Sequence, residues 1–207
     1  MIRHSVLFAW AGDVPDEAKL RMKEGMAYVG YASNLLDLDF GEDLGIGGPD
    51  NFGLILLHDH RSRETWDEYN KDAHHHRVGE SIKQYTTPEL AARVDWIFEG
   101  ERPPRHTIRH MSMYLWQDDV TDEQKAEAKA AMAALESSVP TVGSLQVGDD
   151  LGWYPPNYHW IVEAIFDDEA ALRAYLEHPE RTAAEELVRR VTQPDRTARG
   201  EHRVRSG

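Results

Sequence analysis

Histidine and tyrosine are the residues of this chain whose types and spacing could do chemistry. The 207 residues include eleven histidines and no cysteine, so a thiol nucleophile and a thiolate metal site are excluded. His4 lies among apolar residues, His58 and His60 are two positions apart, and His75 follows Tyr69 after a short interval. An imidazole titrates near neutral pH and can remove a proton next to a carbonyl group, and a phenol can hydrogen-bond the oxygen that gains charge. These residues predict acid–base chemistry.

The run His74-His75-His76 could have two roles other than catalysis, and the first is metal binding. Consecutive residues of a helix point about 100° apart, so three in a row cannot converge on one metal ion. Two of them could converge with His4, His58 or His60 only where the segment is irregular, and neutral imidazole suits zinc, iron and copper. The other alternative is a solvated cluster at the start of a helix. We predict no metal at this run.

The strand histidines also have a structural alternative. His4 could be a buried neutral imidazole with a hydrogen-bond partner, and His58 with His60 could mark a strand edge. Residues two apart in a strand share a face, which puts His58 and His60 on one face with Leu54. From this placement we expect His58 to contact a substrate at the rim of a cavity.

A stretch that occurs twice determines how these residues are positioned. Ile2-Arg3-His4 returns as Ile108-Arg109-His110, a shift of 106 positions, and the same shift aligns Tyr69 with Tyr175. Ordered matches over most of the chain indicate an internal duplication. We predict two domains, residues 1–102 and 105–207, each of about 100 residues and large enough to bury its own core.

Each copy has the pattern of strand, helix, strand, strand, helix and strand. In the first copy, residues 2–10, 36–43, 52–60 and 94–99 read as strands, and residues 15–34 and 63–84 read as helices with a break near residue 72. The second copy repeats the order, although residues 200–205 are polar and make its last strand doubtful. This is the ferredoxin-like motif of an α+β fold.

A four-stranded sheet with both helices on one face leaves its other face bare. Two such sheets in one chain can bury those faces together, so we predict an intramolecular dimeric α/β barrel, an internal pseudo-dimer that could associate further into a homo-oligomer. We expect a central cavity between the sheets, with the first-strand face that carries His4, Phe8 and Trp10 turned towards it. On the first helix, Leu20 and Tyr31 are expected to pack.

Charge and hydropathy bear on partners and location. The net charge of −14 argues against nucleic acid and anionic membranes. Gly45, Gly47 and Gly48 precede a strand rather than a helix, so they do not form a phosphate loop. No apolar run approaches the roughly 20 residues needed to cross a membrane, and the N-terminus has no signal-peptide pattern. We expect a cytoplasmic protein with a small-molecule partner and no membrane contact.

These motifs resemble the stress-responsive A/B barrel family. The likeness is carried by the strand opening Ile2-Arg3-His4, by the turn Gly41-Glu42-Asp43-Leu44 and by the helix break Tyr175-Leu176-Glu177-His178-Pro179, and it covers both copies. The resemblance implies the dimeric α/β barrel fold. Members of the family include a plant polyketide cyclase that uses no cofactor and closes its substrate by intramolecular aldol chemistry.

The resemblance also implies roles for residues of the first copy. A tyrosine and a histidine of the helix break correspond to Tyr69 and His75, and a strand histidine in the same pocket corresponds to His4. On this pattern His75 is the base, Tyr69 holds the carbonyl or enolate oxygen, and His4 orients the substrate or relays the proton. In the second copy Arg181 stands where His75 would be. The expected pocket lining is Phe8, Trp10, Tyr28, Leu54, His58 and Trp160.

We predict an enzyme without cofactor, a cyclase, isomerase or lyase that acts on a small, mostly apolar, carbonyl-bearing substrate. The alternative is a non-enzymatic, stress-responsive barrel whose cavity holds a small hydrophobic ligand. A third hypothesis is an oxygenase or haem-associated barrel, since related barrels host such chemistry.

Overall fold

The first repeat alternates strands and helices in the predicted order. The structure is a computed structural model and describes residues 1–87, 91–155 and 157–205. The elements are β1 (Ile2–Phe8), α1 (Asp16–Ala32), β2 (Asp37–Glu42), β3 (Leu54–His60), α2 (Arg63–Lys71), α3 (Ala73–Lys83) and β4 (Ala92–Ile97). The predicted second helix is therefore a pair of helices that meet at Asp72.

The second repeat follows the same order. Its elements are β5 (Ile108–Tyr114), α4 (Asp122–Ala133), α5 (Leu135–Ser138), β6 (Ser144–Asp149), β7 (Trp160–Phe166), α6 (Glu169–Leu176), α7 (Pro179–Val191) and, after a short 3₁₀ turn, β8 (Ala198–Arg203). The strand that the sequence left doubtful, β8, pairs with β5 over its whole length. Its polarity misled the prediction because Glu201 and His202 are fully buried and hydrogen-bonded inside the molecule.

Each repeat forms a four-stranded antiparallel sheet. The strand orders are β2-β3-β1-β4 and β6-β7-β5-β8, with every neighbouring pair antiparallel. This is the ferredoxin-like topology that the sequence predicts. Within the described ranges, none of the helices combines the length and the apolar character that crossing a membrane requires.

Alternate residues of β1 face two different cores. Val6 packs with Met22 of α1 and Ile82 of α3 in an outer core between the sheet and its helices. Leu7 packs with Met113 of β5 in a central core that both sheets share. The face with His4, Val6 and Phe8 is therefore turned towards the helices of its own repeat.

This arrangement corrects two predictions. The space between the sheets is filled by packed side chains, among them Trp96 and Met111, which are fully buried, so the expected central cavity lined by the aromatic face of β1 is wrong. On α1, Leu20 is 53% exposed and Tyr31 is 91% exposed. The prediction failed there because α1 packs through a narrower stripe that includes Met22.

Charged residues are also buried between the sheets. Arg3 donates from Nε and Nη2 to Asp59 at 2.7 and 2.8 Å and from Nη1 to Glu163 of the other repeat at 2.6 Å. Arg109 likewise pairs with Asp39 across the repeats. Because a buried charge that loses its partner is costly, these pairs oppose any shift of one sheet over the other.

Backbone hydrogen bonds close the barrel where the edges of the sheets meet. At one edge the N–H of Leu44 donates to the carbonyl of Glu201 at 2.9 Å, and at the other the N–H of Leu151 donates to Asp95 at 2.7 Å. Leu44 and Leu151 are equivalent in the two repeats, so the closure is pseudo-twofold. The molecule is thus the intramolecular dimeric α/β barrel that the sequence predicts.

Candidate active site

Asp72 sets the position of His75. Its backbone is extended between α2 and α3, and its carboxylate accepts hydrogen bonds from the N–H groups of His74 at 2.6 Å and His75 at 3.1 Å. A carboxylate at this position caps the helix that follows. The chain therefore turns between Tyr69 near the end of α2 and His75 at the start of α3, and the two rings stack with centroids 4.2 Å apart.

The register of the first sheet places three polar side chains in one row. His4 on β1 lies directly opposite His58 on β3 and Asp95 on β4, so all three project from the face that the helices cover. The ring centroids of His4 and His58 are 4.8 Å apart, and those of His58 and Tyr69 are 4.2 Å apart. One continuous cluster therefore runs from Asp95 through His4, His58 and Tyr69 to His75.

His4 and Asp95 form a carboxylate–imidazole pair. Nδ1 of His4 lies 2.6 Å from Oδ1 of Asp95. Since an ionised carboxylate only accepts, Nδ1 carries the proton and Nε2 is the basic nitrogen. Nε1 of Trp66 donates to the same oxygen at 2.9 Å, and Nδ2 of Asn157 from the second repeat donates to Oδ2 at 3.3 Å. The pair fixes the orientation of the His4 ring and the tautomer in which Nε2 carries no proton.

Burial keeps the other imidazoles neutral. It lowers the pKa of His75 to about 4, with the nearby His4 as the next cause, and it lowers the pKa of His60 to about 4 in the same way. His58 is fully buried and its pKa lies well below 6.5. Burial raises the pKa of the Tyr69 phenol, which therefore remains a proton donor at neutral pH.

Asp95 differs from these groups because its partners overcome its burial. Burial alone would raise the pKa of this carboxyl group, but the charge of His4 and the hydrogen bonds from His4, Trp66 and Asn157 lower it by more, and the net shift is downward. Asp95 is therefore ionised at neutral pH.

A cavity of about 160 Å³ lies between the first sheet and its helices. His4, Tyr69 and His75 form polar parts of its wall, together with Asn70 and Arg93. The apolar part of the wall comprises Val6, Phe8, Met26, Val29, Leu38, Leu56, Val78 and Ile82. An apolar cavity with a few convergent polar groups suits a small, mostly apolar molecule.

The predicted lining residues of the first repeat lie at different depths. Phe8 lines this cavity between the sheet and its helices, rather than the central cavity in which it was expected. Leu54 and Trp10 belong to the outer core beside it, where the indole of Trp10 occupies space that Gly53 leaves open. His58 was expected at a rim, but it is fully buried beneath Tyr69.

Tyr28 and Trp160 lie outside the described wall of this cavity. Tyr28 is 53% exposed and its ring meets that of His74 edge-on, with centroids 5.2 Å apart. Trp160 is stacked with Tyr114 and Trp116 in the outer core of the second repeat. The expectation for Trp160 assumed a central cavity shared by both repeats, and no such arrangement exists among the described residues.

Sequence reasoning missed Asp95, Trp66 and Asn157. Asp95 could have been suspected because it is an acidic residue between the apolar residues Val94 and Trp96 of a strand, and charged groups are rarely buried unless they are paired. Trp66 and Asn157 carry no comparable signal, since only the folded barrel brings them to the carboxylate.

The second repeat keeps part of this arrangement. His110 pairs with Glu201 at 3.0 Å, as His4 does with Asp95, and Tyr175 is buried at the place of Tyr69. Ala164, Phe166 and Arg181 stand at the positions of His58, His60 and His75. The imidazole cluster is therefore a feature of the first repeat.

The imidazoles of the cluster are engaged with one another rather than arranged around a common centre. Nδ1 of His58 lies 2.8 Å from Nε2 of His60. In the part of the chain that the structure describes, no three His, Asp or Glu side chains are grouped so that they could hold a metal ion.

The fold and this cavity define a class: a tandem ferredoxin-like barrel with a histidine–tyrosine cluster in one repeat. The model of the family called Stress responsive A/B Barrel Domain matches the chain twice, over residues 2–97 and 108–199. The chain belongs to this family, as the sequence motifs implied.

Three solved structures superpose on nearly the whole of this chain. An anthrone oxidase-like protein superposes with a TM-score of 0.72 at 20% identity, covering 99% of this chain and 92% of that chain. A proposed monooxygenase from Fusobacterium nucleatum gives 0.65 at 12% identity, with 99% and 93% covered. One from Lactobacillus acidophilus gives 0.52 at 13% identity, with the same coverage. Likeness at these identities shows the shared fold alone. No curated protein sequence matches this chain.

Proposed function

We propose that the first repeat is an enzyme without cofactor that removes a proton next to the carbonyl group of a small, mostly apolar substrate. The observation that carries this proposal is the pairing of His4 with the buried Asp95 beside Tyr69 and His75, at the wall of an apolar cavity. Cyclases, isomerases and lyases of carbonyl compounds can all begin with this proton transfer.

His4 is the base in this proposal, rather than His75 as the family resemblance implied. Burial lowers the pKa of His75 to about 4, so its protonated form is unfavourable near neutral pH. Asp95 accepts the Nδ1 proton of His4 and stabilises the imidazolium that forms when Nε2 takes a second proton. The carboxylate behind its ring is therefore the observation that favours His4 over His75 as the base.

Tyr69 and His75 hold the substrate oxygen. Nδ1 of His75 is buried without a hydrogen-bond partner among the described groups, and the Tyr69 ring stacks on His75 at the cavity wall. Burial keeps the phenol and the imidazole neutral, so either can donate a hydrogen bond to an enolate oxygen. Donors that are fixed in a water-poor cavity stabilise developing charge more than they would in water.

The proton and electron balance of the step is complete without another reagent. The C–H bond next to the carbonyl breaks, its proton goes to Nε2 of His4, and its electron pair becomes the enolate. Return of the proton to another atom gives an isomer. Attack of the enolate carbon on a second carbonyl of the same molecule closes a ring, and the alkoxide that forms takes the proton back from His4. In a lyase reaction the leaving group departs with the electron pair and takes that proton instead.

Proton exchange tests this proposal before the full reaction is known. We expect the protein to catalyse deuterium incorporation next to the carbonyl of small apolar ketones in heavy water, which NMR measures directly. His4→Gln should lower the exchange rate by about 10²- to 10⁴-fold, the usual contribution of a positioned base. His75→Gln should lower it by about 10²-fold, the usual contribution of one oxyanion donor.

His110→Gln provides the matched control, because His110 has the equivalent place in the second repeat and pairs with Glu201, the counterpart of Asp95. It should exchange ketone protons at the wild-type rate. Equal loss in the His4 and His110 variants, or no loss in the His4 variant with its melting temperature intact, would contradict the proposal.

A barrel that binds a small ligand without turnover is the second candidate, and the largely apolar wall of the cavity favours it. Saturable binding of the same ketones, followed by intrinsic fluorescence, with no proton exchange would support this candidate over the enzyme.

A further inference from the structure

A second cavity lies in the second repeat where the first repeat has its imidazole cluster. It is about 450 Å³ in volume and extends along the junction of α6 and α7 towards β8. Four arginines line it, Arg173, Arg181, Arg189 and Arg199, together with His110. Glu177, Glu185 and Glu186 also line it, so the four guanidinium groups outnumber the carboxylates by one, in a chain whose net charge is −14.

Arg181 and Arg199 are the deeper pair. Nη2 of Arg181 donates to Oε1 of Glu185 at 3.3 Å, and Nη2 of Arg199 donates to Oε2 of the same carboxylate at 2.8 Å. Nε of each arginine is buried without a hydrogen-bond partner among the described groups. A buried donor that is left unused costs free energy, so each guanidinium retains capacity for another acceptor.

Arg173 and Arg189 lie at the exposed rim. Neither forms an ion pair with another residue in the described ranges, although Glu177 and Glu186 also belong to the rim. The rim arginines are therefore free to attract an anion, while the deeper arginines offer it hydrogen bonds. Glu185 neutralises only part of the charge of the deeper pair.

The second cavity differs chemically from the first. Lys83, Gly79 and His75 of the first repeat correspond to Arg189, Glu185 and Arg181 of the second. A neutral imidazole at the helix break has thus been exchanged for a permanently charged guanidinium. The two repeats place different chemistry at the same point of the fold.

We propose that this second cavity binds the acidic group, carboxylate or phosphate, of a small organic anion. The guanidinium fork matches the oxygens of such groups and makes short, charge-assisted hydrogen bonds with them. Arg181 and Arg199 are the inner donors, and Arg173 and Arg189 attract the anion at the rim. This site is separate from the acid–base site of the first repeat and does not depend on it.

Calorimetric titration with succinate and with inorganic phosphate tests the proposal, and the two arms distinguish a preference for carboxylate from one for phosphate. We expect at least one of them to bind. Arg181→Gln should weaken binding by about tenfold or more, which is the value of one charged hydrogen bond. The variant leaves Glu185 bonded to Arg199 and Tyr114, so the fold should be retained, and thermal melting checks this.

His75→Gln is the matched control at the equivalent position of the first repeat, and it should bind the anion like the wild type. Arg189→Gln changes an exposed residue and should weaken binding by a few-fold at low ionic strength and less at high salt, where surface charges are screened. Absence of binding by both anions at roughly 10 millimolar, or equal affinities in the Arg181 and His75 variants, would overturn the proposal.

Discussion

At the scale of the single residue, His60 shows how burial couples a side chain to pH. Its ring is fully buried, and burial with the neighbouring charge of His4 lowers its pKa from 6.5 to about 4. Between these two values the unfolded chain binds a proton that the folded protein does not. Stability therefore falls as the pH decreases from 6.5 to about 4.

His60→Phe should remove this contribution. The equivalent residue of the second repeat is Phe166, which is fully buried in its outer core, so the position accepts an apolar ring. We expect the loss of unfolding free energy between pH 7 and about pH 4 to be smaller in the variant, by up to about 3 kcal/mol. Urea unfolding at the two pH values measures the difference.

The variant must be compared with the wild type because the pKa of Asp43 is shifted in the opposite direction to that of His60. Burial, with a further contribution from the neighbouring Glu201, raises its pKa to about 7, so its share of the stability is lost as the pH rises. That term is common to wild type and variant and cancels. Identical pH dependence in the two proteins would mean that His60 retains its ordinary pKa.

At the scale of the element, the break between α2 and α3 brings Tyr69 and His75 together. Asp72→Ala removes the carboxylate that caps α3, so we expect a lower melting temperature and slower ketone exchange because His75 is less well positioned. Asp72→Asn should preserve both, since the asparagine side chain also caps helices. A wild-type exchange rate in the alanine variant would show that the cap does not position the ring.

The loop between β6 and β7 belongs to the second repeat, but it contacts Asp95 in the site of the first repeat. Nδ2 of Asn157 donates to Oδ2 of Asp95 at 3.3 Å and to Asp150 at 2.9 Å. The pseudo-symmetric Asn51 donates to Glu201 at 2.5 Å. Asn157 of the second repeat thus holds Asp95, the partner of His4 in the first repeat. Asn51 of the first repeat holds Glu201, the partner of His110 in the second.

Asn157→Ala and Asn51→Ala form a matched pair of variants. Both remove one seam contact and should lower the unfolding free energy by about 1 kcal/mol. Only Asn157→Ala should change the NMR signal of the His4 Nδ1 proton and slow ketone exchange, because only Asn157 bonds the partner of His4. Equal effects of the two variants on His4 would mean that the loop stabilises the barrel without orienting the base.

At the scale of the whole molecule, the duplication made the fold predictable and left the location of the cavity open. Matching strands and helix breaks gave the ferredoxin-like repeats and brought Tyr69 close to His75. Both faces of β1 are largely apolar, so periodicity could not tell which face, that of Val6 or that of Leu7, turns to the helices. The partners of Asp95 also lay beyond prediction, because strand register and the seam between repeats bring them together.

The sheet-to-sheet contact depends on a glycine that lets the central core close. A Cβ atom added at Gly148 of β6 would lie 2.2 Å from the indole of Trp96. Trp96 is fully buried and its Nε1 donates to Ser5 at 3.1 Å, so the indole has nowhere to move without loss of that bond. Gly148→Val should therefore push the sheets apart and lower the unfolding free energy by about 1–3 kcal/mol.

Gly79→Ala gives the opposite expectation from the same measurement. A Cβ atom at Gly79 would meet nothing within 4 Å, and alanine in a helix such as α3 is favoured over glycine by about 0.5–1 kcal/mol, so this variant should be more stable in urea.

Because Asp95 and Asn157 meet across the seam, Gly148→Val should also slow ketone exchange. Wild-type stability of Gly148→Val would show that the sheets do not press together at this point, and the seam would then have to be held by its ion pairs and edge hydrogen bonds alone.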